Sequence, residues 1–287
     1  MVRVKNEGRF LPEWIAYNIA LGFEHFFVYD NGSKDLTRDV LQPFVEQGYV
    51  TYIWWPDSPI YPGADLHFFS TYASQAEWVA FLDPDEFVVE QSPGYFRRTL
   101  QSHTAPALAI NWRYFGSSGH DALPPGLVLD NFTRADRTLD EHVKVIVRPL
   151  KVRRLRNPHS FYYEKAQAAK TADGRRVTSS FAPPGDLADA SLILNHYVYR
   201  SRSDYSRKAT QGFADQKRPG EVPRHISRIE SEFVKHNDVA TLSPPAGRSA
   251  ATLLRDFGFG PPYTDELSGA DFSPRSAAAD DILGREK

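Results

Sequence analysis

The sequence contains no cysteine, and this absence excludes several kinds of chemistry. Without a thiol the chain cannot form disulfides, thiolate zinc sites or a cysteine nucleophile. No stretch approaches the ~20 consecutive apolar residues that a membrane-spanning helix requires. The first residues, MVRVKNEGRF, lack the apolar segment of a secretory signal. We therefore expect no transmembrane segment and a cytoplasmic location.

Neither sign of charge is in excess. The 34 Lys and Arg residues and 36 Asp and Glu residues give a net charge of −2, whereas a dedicated nucleic-acid binder should be clearly basic. Hydrophobic residues make up 41% of the 287 residues, which is enough for a sizeable core. Bulky apolar residues become scarce after Asn237. We therefore predict a folded domain over residues 1–237 and a loosely structured C-terminal extension over 238–287.

Strand-like and helix-like segments alternate through the first part of the chain. HFFVYD at 25–30 is a short apolar run that ends in an Asn-Gly turn, and apolar residues between Leu66 and Ala76 share one helical face. WVAFLD at 78–83 is a continuous apolar run, typical of a strand buried on both faces. This βαβαβαβ order predicts an α/β fold with a mostly parallel central sheet flanked by helices.

The sequence FLDPDEF places Asp83, Asp85 and Glu86 directly after that apolar run. Residues two apart on an extended chain point to the same side, so the two aspartates can share one space. Open α/β sheets bind ligands at the carboxyl ends of their strands, and carboxylate oxygens suit Mg²⁺ or Mn²⁺. The alternative is an acidic turn that is only solvated.

Polar residues also follow the earlier strands. Asp30 and Asn31 end the second strand, and Lys5, Asn6 and Glu7 end the first. In a parallel sheet these strand ends lie along one edge, where Asp30 and Asn31 could hydrogen-bond a base or ribose. Turn formation alone is the alternative for Asn31 before Gly32.

Several segments together resemble glycosyltransferase family 92 and its bacterial relatives of the family 2 type. The resemblance covers most of residues 2–212, in the family's order. It implies a GT-A fold, a divalent metal, usually Mn²⁺, and inverting transfer of a hexose from a nucleotide sugar, often UDP-galactose, to a glycan or other hydroxyl acceptor. The segments are KNEGRFLPEWIAYNIALGFEHFFVYDNGSKD, WVAFLDPDEFV, INWRYFGSSGH, VIVRP, NPHSF and LNHYVYRSRSDYSRK.

Carried over by position, the resemblance implies that Asp83 and Asp85 form the metal-diphosphate motif. His196, in LNHY at the end of a late strand, is similar to the histidine that completes the metal site in many GT-A enzymes. A neutral imidazole suits this role because it adds no charge to an acidic site. The alternative for His196 is a hydrogen bond at the sheet edge. Eukaryotic family members are often membrane-anchored, so peripheral attachment to a membrane stays open here.

A departing diphosphate needs positive charge, which lysine and arginine clamps supply. Lys208, on a helix shortly after His196, is our first candidate. The other candidates are Arg200, Arg202 and Arg207, and the basic run of Lys144, Arg148, Lys151, Arg153, Arg154 and Arg156, which is otherwise a solvated strand or loop face.

The sequence indicates the residues that would bind the acceptor less specifically than those of the donor site. Trp112 and Tyr114 could form a platform for a sugar face, with core packing as the alternative, and Ser118 lies in a Gly-Ser loop that could order over the donor. His159 could contact the diphosphate or the acceptor, or cap its own loop. An inverting reaction also needs a general base. Asp121 is the first choice, followed by His120 and then Glu141.

Two other functions compete with this hypothesis. Haloacid-dehalogenase-type phosphatases also carry Asp-x-Asp after a buried strand, but normally on the first strand, with Thr or Val after the second aspartate where this chain has Glu86. Asp280 and Asp281 could mimic their later acidic pair. The non-enzymatic alternative is a sugar-binding module with an ornamental acidic turn.

Overall fold

A computed structural model describes residues 1–57, 59–211, 235–241 and 245–259 of the chain. Most of the predicted C-terminal extension, including Asp280 and Asp281, lies outside these residues. Among the helices described, each falls short of the length and apolarity that crossing a bilayer requires.

Strands and helices alternate through the first part of the chain, as predicted. Strands β1, β2 and β3 pair in parallel in that order, because each intervening helix returns the chain to the same edge. Helix α1 carries Pro12 in its first turn and ends at Gly22, whose φ of 109° suits glycine. The elements are β1 (Val2–Val4), α1 (Leu11–Leu21), β2 (Phe26–Asp30), α2 (Thr37–Glu46), β3 (Val50–Trp54), α3 (Gly63–Thr71) and β4 (Val79–Ala80).

Strand β4 is shorter than the run at 78–83 predicts. After Ala80 the chain leaves the sheet and turns. The amide of Glu86 donates to the carbonyl of Asp83 at 3.0 Å, and the amide of Asp83 donates to the Glu86 carboxylate at 2.9 Å. These local hydrogen bonds satisfy the backbone in place of a strand partner. The acidic residues therefore lie in a tight turn after a two-residue strand.

The remaining described chain forms a seven-stranded sheet, two two-stranded sheets and further helices. The elements are β5 (Glu86–Glu90), α4 (Tyr95–Ser102), β6 (Ala107–Tyr114), α5 (Val128–Asn131), β7 (Arg134–Ala135), β8 (Val143–Val147), β9 (Val152–Asn157), β10 (Ser160–Tyr163), β11 (Ala169–Thr171), β12 (Arg176–Val177), β13 (Leu192–His196), α6 (Arg202–Gln211), β14 (Val239–Ala240) and α7 (Pro245–Asp256).

Strand β6 is the centre of the seven-stranded sheet. It pairs in parallel with β11 and β13 and antiparallel with β8, while β13 pairs antiparallel with β5. The connection from β6 to β8 contains no long crossover helix, which permits antiparallel pairing. The predicted α/β class, with a parallel sheet and flanking helices, is confirmed. The second sheet adds antiparallel pairs that the sequence pattern did not predict.

Alternation along β6 divides the interior into two cores. Leu108 and Ile110 contribute to a first core with residues of α1, α2 and α7, and Trp112 joins them. Ala107 and Ala109 point the other way, into a second core with residues of α3 and β10. Two of the predicted motifs, the acidic turn and the end of β13, lie beside β6 because His196 pairs with Glu86 on one side and with Tyr114 on the other.

Helix α7 lies within the predicted extension over 238–287 and packs on the first core. Ala250 and Leu254 are buried in the first core, and Phe257 lies 4.2 Å from the ring of Phe44 between centroids. Small and large apolar residues four apart give this segment the buried face that the overall composition of the tail hides. The domain boundary at residue 237 itself stays a prediction.

We expect Leu254→Ala to lower the free energy of unfolding by about 2–5 kcal/mol, because it leaves a cavity between α7 and the first core. Urea denaturation followed by circular dichroism would measure this. Ser249→Ala, at an exposed position of the same helix, should change stability by less than about 0.5 kcal/mol. Equal, small effects of both substitutions would contradict the packing of α7.

Candidate active site

The acidic turn 83–86 places three carboxylates in different surroundings. The side chain of Asp83 is 38% exposed, while those of Asp85 and Glu86 are buried. Glu86 begins β5 and points into the protein beneath the turn, where its carboxylate accepts the amide of Asp83. Burial raises the pKa of Glu86 to about 8. A buried acid beside a second carboxylate needs a cation close by.

Lys144 supplies that cation. It lies in β8, with its side chain 1% exposed, and its Nζ is 2.7 Å from Oδ2 of Asp83 and 3.2 Å from Oε2 of Glu86. Burial opposes ionisation of Asp83, but Lys144 and Arg3 together lower its pKa to about 2. Burial likewise opposes the charge on Lys144, yet the two carboxylates raise its pKa above the ordinary value. Asp83 is therefore ionised and already paired.

Asp85 faces a second cation, Lys208, and the imidazole of His196. Its Oδ2 is 2.7 Å from Nζ of Lys208, and its Oδ1 is 3.7 Å from Nε2 of His196. Burial opposes its ionisation, but Lys208 and His196 hold the pKa of Asp85 well below its usual range. Lys208 Nζ is also 3.5 Å from Oε1 of Glu7. The ammonium group of Lys208, in helix α6, thus links the acidic turn after β4 to the loop after β1.

The buried side chain of Arg200 contacts Glu7, a partner of Lys208, and Asp204 of α6. Nη2 of Arg200 is 3.4 Å from Oε2 of Glu7, and Nε of Arg200 is 2.8 Å from Oδ2 of Asp204. The guanidinium also lies over the ring of Phe10, 3.5 Å from its centroid. Asp204 in turn pairs with Arg207 at 2.7 Å, and Arg207 donates to the carbonyl of Asn6 at 3.1 Å. These contacts fix α6, and with it Lys208, against the β1 loop.

The ring of Trp112 packs against three histidine rings beside the carboxylates. Its ring centroid lies 4.5 Å from that of His196, 5.3 Å from that of His159 and 5.0 Å from that of His142. Burial lowers the pKa of His196 to about 4 and that of His159 to about 3, so both rings are neutral at pH 7. Within the described chain, Trp112 Nε1 and the Nδ1 atoms of His159 and His196 have no hydrogen-bond partner.

The residues predicted to contact the nucleoside lie at neighbouring strand ends, as expected. Asp30 is fully buried, and its carboxylate accepts the amide of Ser33 and the hydroxyl of Tyr52, both at 2.8 Å. Asn31 donates to the carbonyls of Trp55 and Asp57. Asn6 accepts the amide of Lys34 at 2.7 Å. These side chains hold the loops together, which supports the turn alternative for Asn31.

The candidates for the general base lie apart from the carboxylates. Asp121 has an 80% exposed side chain that pairs with Arg202 at 2.9 Å, and His120 Nε2 is 3.3 Å from the carbonyl of Asn131. Their carbonyls accept the amides of Ser203 and Arg202 at the start of α6. Lys208 lies six residues further along α6, roughly 9 Å along the helix axis. No contact of the described residues joins Asp121 or His120 to Asp85.

The Gly-Ser loop is also held by other described segments. The amide of Ser118 donates to Asn237 at 2.8 Å, and its hydroxyl accepts the amide of Arg134 at 3.0 Å. Gly116 packs so closely on Asn237 that a Cβ atom there would lie 2.5 Å from its side chain. A side chain at position 116 would therefore force the side chain of Asn237 to move.

Of the three predicted metal ligands, the structure brings Asp85 and His196 together and places Asp83 on Lys144. Among the residues described, no group of three or more His, Asp or Glu side chains could hold a metal ion. The two remaining donors still fit a hard divalent cation, because Mg²⁺ and related ions bind through one or two carboxylates and complete their shell with substrate phosphates. The metal site stays a prediction.

The roles of Glu86 and Lys144 do not follow from residue spacing alone. By position, Glu86 is a neighbour of the two aspartates and Lys144 a member of a basic run. A usable signal was present, since Lys144 is the one charge in the apolar strand VKVIV. A lone lysine in a buried strand requires an acidic partner.

Comparisons with known proteins agree on one family. The sequence profile of glycosyltransferase family 92 matches residues 6–235. A family 92 protein of Oryza sativa subsp. japonica is 26% identical over 69% of this chain and 32% of its own length. One of Ricinus communis is 28% identical over 71% of this chain and 35% of its own. The chain thus spans about a third of the length of the curated relatives it matches.

Solved structures resemble this chain more weakly. Staphylococcus aureus TarS 1-349 in complex with UDP-GlcNAc has a TM-score of 0.39 and 14% identity, covering 90% of this chain and 70% of that one. The Pyrobaculum calidifontis mannosyltransferase PcManGT in complex with GDP-Man and Mn²⁺ has a TM-score of 0.35 and 14% identity, covering 93% and 77% respectively.

We expect Lys144→Met to lower the free energy of unfolding by about 3–5 kcal/mol at pH 9, above the pKa of about 8 of Glu86, because it leaves the ionised and buried Glu86 without its cation. Adding Glu86→Gln should recover much of the loss, since the unpaired charge is then removed as well. Urea denaturation of both single variants and the double variant forms the cycle. Simple additivity of the two single effects would contradict a direct Lys144–Glu86 interaction.

Proposed function

The chain belongs to glycosyltransferase family 92, and we propose that it transfers a hexosyl group from a nucleotide diphosphate sugar to a hydroxyl acceptor. The observation that carries this proposal is that the buried carboxylate of Asp85 contacts both Lys208 and His196, beside the ring of Trp112. A negative group and a cation held together at the edge of an α/β sheet suit a diphosphate that arrives with its counter-ion.

The donor we propose is a UDP-sugar, with galactose as the hexose, bound together with Mn²⁺ or Mg²⁺. Asp85 and His196 would hold the ion, and Asp83 would join them if it released Lys144. When bound, such an ion neutralises charge on the diphosphate as the glycosidic bond breaks. Neutral His196 suits ligation, because a protonated imidazole has no lone pair to offer. Asp30, Asn31 and Asn6 would line the nucleoside end.

Lys208 is proposed to stabilise the leaving group. In an inverting transfer, the acceptor oxygen forms a bond to the anomeric carbon while the bond from that carbon to the diphosphate oxygen breaks. The acceptor proton passes to a base, for which Asp121 and His120 stay our candidates, and the electron pair leaves with the nucleoside diphosphate. An ammonium group near the diphosphate stabilises this developing charge. Trp112 and His159 would face the sugars.

The contacts of Lys208 imply that it competes with the cation for Asp85. Its ammonium pairs with that carboxylate at 2.7 Å. The diphosphate would offer Lys208 a second anionic partner, so that donor and divalent ion bind together more tightly than either does alone. This coupling distinguishes the glycosyltransferase from a sugar-binding module, and release of UDP in place of phosphate distinguishes it from a phosphatase.

We expect Asp85→Asn to abolish the Mn²⁺-dependent binding of UDP-sugars measured by calorimetry, because the carboxylate that anchors the ion is lost. The variant should still fold, because Lys208 keeps Glu7 as an anionic partner at 3.5 Å, and circular dichroism checks this. Asp189→Asn, an exposed aspartate on a distant turn, is the matched control and should bind donor normally. Unchanged donor affinity in Asp85→Asn would remove the proposed site.

Lys208→Met should bind Mn²⁺ about tenfold or more tightly in the absence of nucleotide, because the loss of one charge-assisted hydrogen bond frees Asp85. Its rate of hexosyl transfer should fall on the order of 100-fold. Electron paramagnetic resonance of free Mn²⁺ measures the first effect and release of UDP the second. Lys208→Arg keeps the charge and serves as control. An unaltered Mn²⁺ affinity in Lys208→Met would exclude the competition.

A further inference from the structure

The hairpin of β9 and β10, with the residues that flank it, carries an unusual concentration of positive charge. We call residues 150–165 the basic hairpin. Five basic residues and one acidic residue give it a net charge of +4, although the whole chain has a net charge of −2. The charged residues are Lys151, Arg153, Arg154, Arg156, Glu164 and Lys165, and all of them are exposed.

These cations are not neutralised by carboxylates of the part of the chain that the structure describes. Across residues 1–57, 59–211, 235–241 and 245–259, none of the five basic side chains is within ion-pair distance of a carboxylate. By contrast, Arg148 and Arg175 close by pair with Glu77 and Asp173. Arg154 and Arg156 instead lie over the ring of Tyr162, with guanidinium carbons 4.5 and 5.6 Å from its centroid. The hairpin therefore presents its charge to an external anion.

The inner face of the hairpin anchors it to the protein. Leu155 pairs with Phe161, and both pack against the second core, where Phe161 lies 5.0 Å from Phe81 between ring centroids. Tyr163 is buried in the same core. Because alternate residues of a strand point to opposite faces, Arg154 and Arg156, which flank Leu155, lie on the outer face with Tyr162. Packing of the inner face on the second core thus holds the charged outer face in place.

Exposed apolar side chains accompany the charge. Leu150, next to Lys151, is 67% exposed, and Tyr162 between the two arginines is 41% exposed. A mixture of lysine, arginine, tyrosine and leucine is typical of surfaces that lie at a lipid–water interface, where the basic groups meet headgroups and the apolar groups enter the acyl boundary. A nucleic-acid site would not require the exposed leucine.

We infer that the basic hairpin docks the protein onto a membrane surface rich in anionic lipids. Charge complementarity selects the anionic headgroups, and Leu150 with Tyr162 adds contact with the acyl chains. The turn of this hairpin carries His159, which lies against Trp112 in the candidate active site. Docking through this face would place that site beside the bilayer.

Flotation with vesicles of phosphatidylcholine, with and without phosphatidylglycerol, tests the inference on the full chain. We expect binding only when phosphatidylglycerol is present, weakening as NaCl is raised. The triple variant Lys151→Gln/Arg153→Gln/Arg154→Gln should bind about 100-fold more weakly, because each basic residue near an anionic surface contributes about fivefold. Leu150→Ser should lose about tenfold.

The matched control removes three charges elsewhere, with Arg97→Gln and Arg98→Gln in α4 and Arg255→Gln in α7, all exposed. It should bind vesicles like the unmodified chain. Unchanged vesicle binding by the hairpin variant, or equal loss in the control, would overturn the inference. Binding to heparin without binding to vesicles would do so as well and would assign the surface to a soluble polyanion. Donor binding is measured in parallel, and loss of vesicle binding with donor affinity retained separates this test from the proposed function.

Discussion

The candidate site depends on one buried lysine. Lys144 reaches from the middle of a core strand to a carboxylate on the surface of the turn and to another below it. Without this ammonium the turn would hold Asp83, Asp85 and Glu86 within a few residues of each other, two of them away from water, and their repulsion would oppose the fold. The lysine leaves Asp85 as the member of the group that faces His196 and Lys208. Each aspartate of the turn thus has its own lysine, Lys144 for Asp83 and Lys208 for Asp85.

Much of the first part of the fold could be predicted from residue patterns alone. The order of β1 to β4 and the helices between them follows from apolar runs, a proline at the start of α1 and a glycine at its end. The family was also identifiable, because six separate segments keep their order. The strand pairing of the second sheet was harder to predict. Strands β5 and β13 pair although their residues are about a hundred positions apart, and no local pattern encodes such partners.

The candidate site could be predicted in kind but not in arrangement. The sequence indicated Asp85, His196 and Lys208, and the structure places these three together. The sequence did not indicate that Asp83 forms an ion pair with Lys144. Nor did it indicate that both carboxylate oxygens of Asp30 accept hydrogen bonds, from Ser33 and Tyr52. Which partner a polar side chain takes is decided by tertiary packing, so residue type and spacing cannot reveal it. The same limit applies to Asp121, whose distance from Lys208 follows from the length of α6.

The packing of α7 against α1 has a practical consequence for anyone shortening this protein. Helix α1 follows directly from the loop that carries Glu7, and α7 covers part of its apolar side together with Phe44. A version that stopped at residue 237 would uncover that surface, and exposed apolar patches of this kind promote self-association. Cloning boundaries chosen from composition alone would therefore yield an aggregating fragment, whereas one that extends through Phe259 retains the cover.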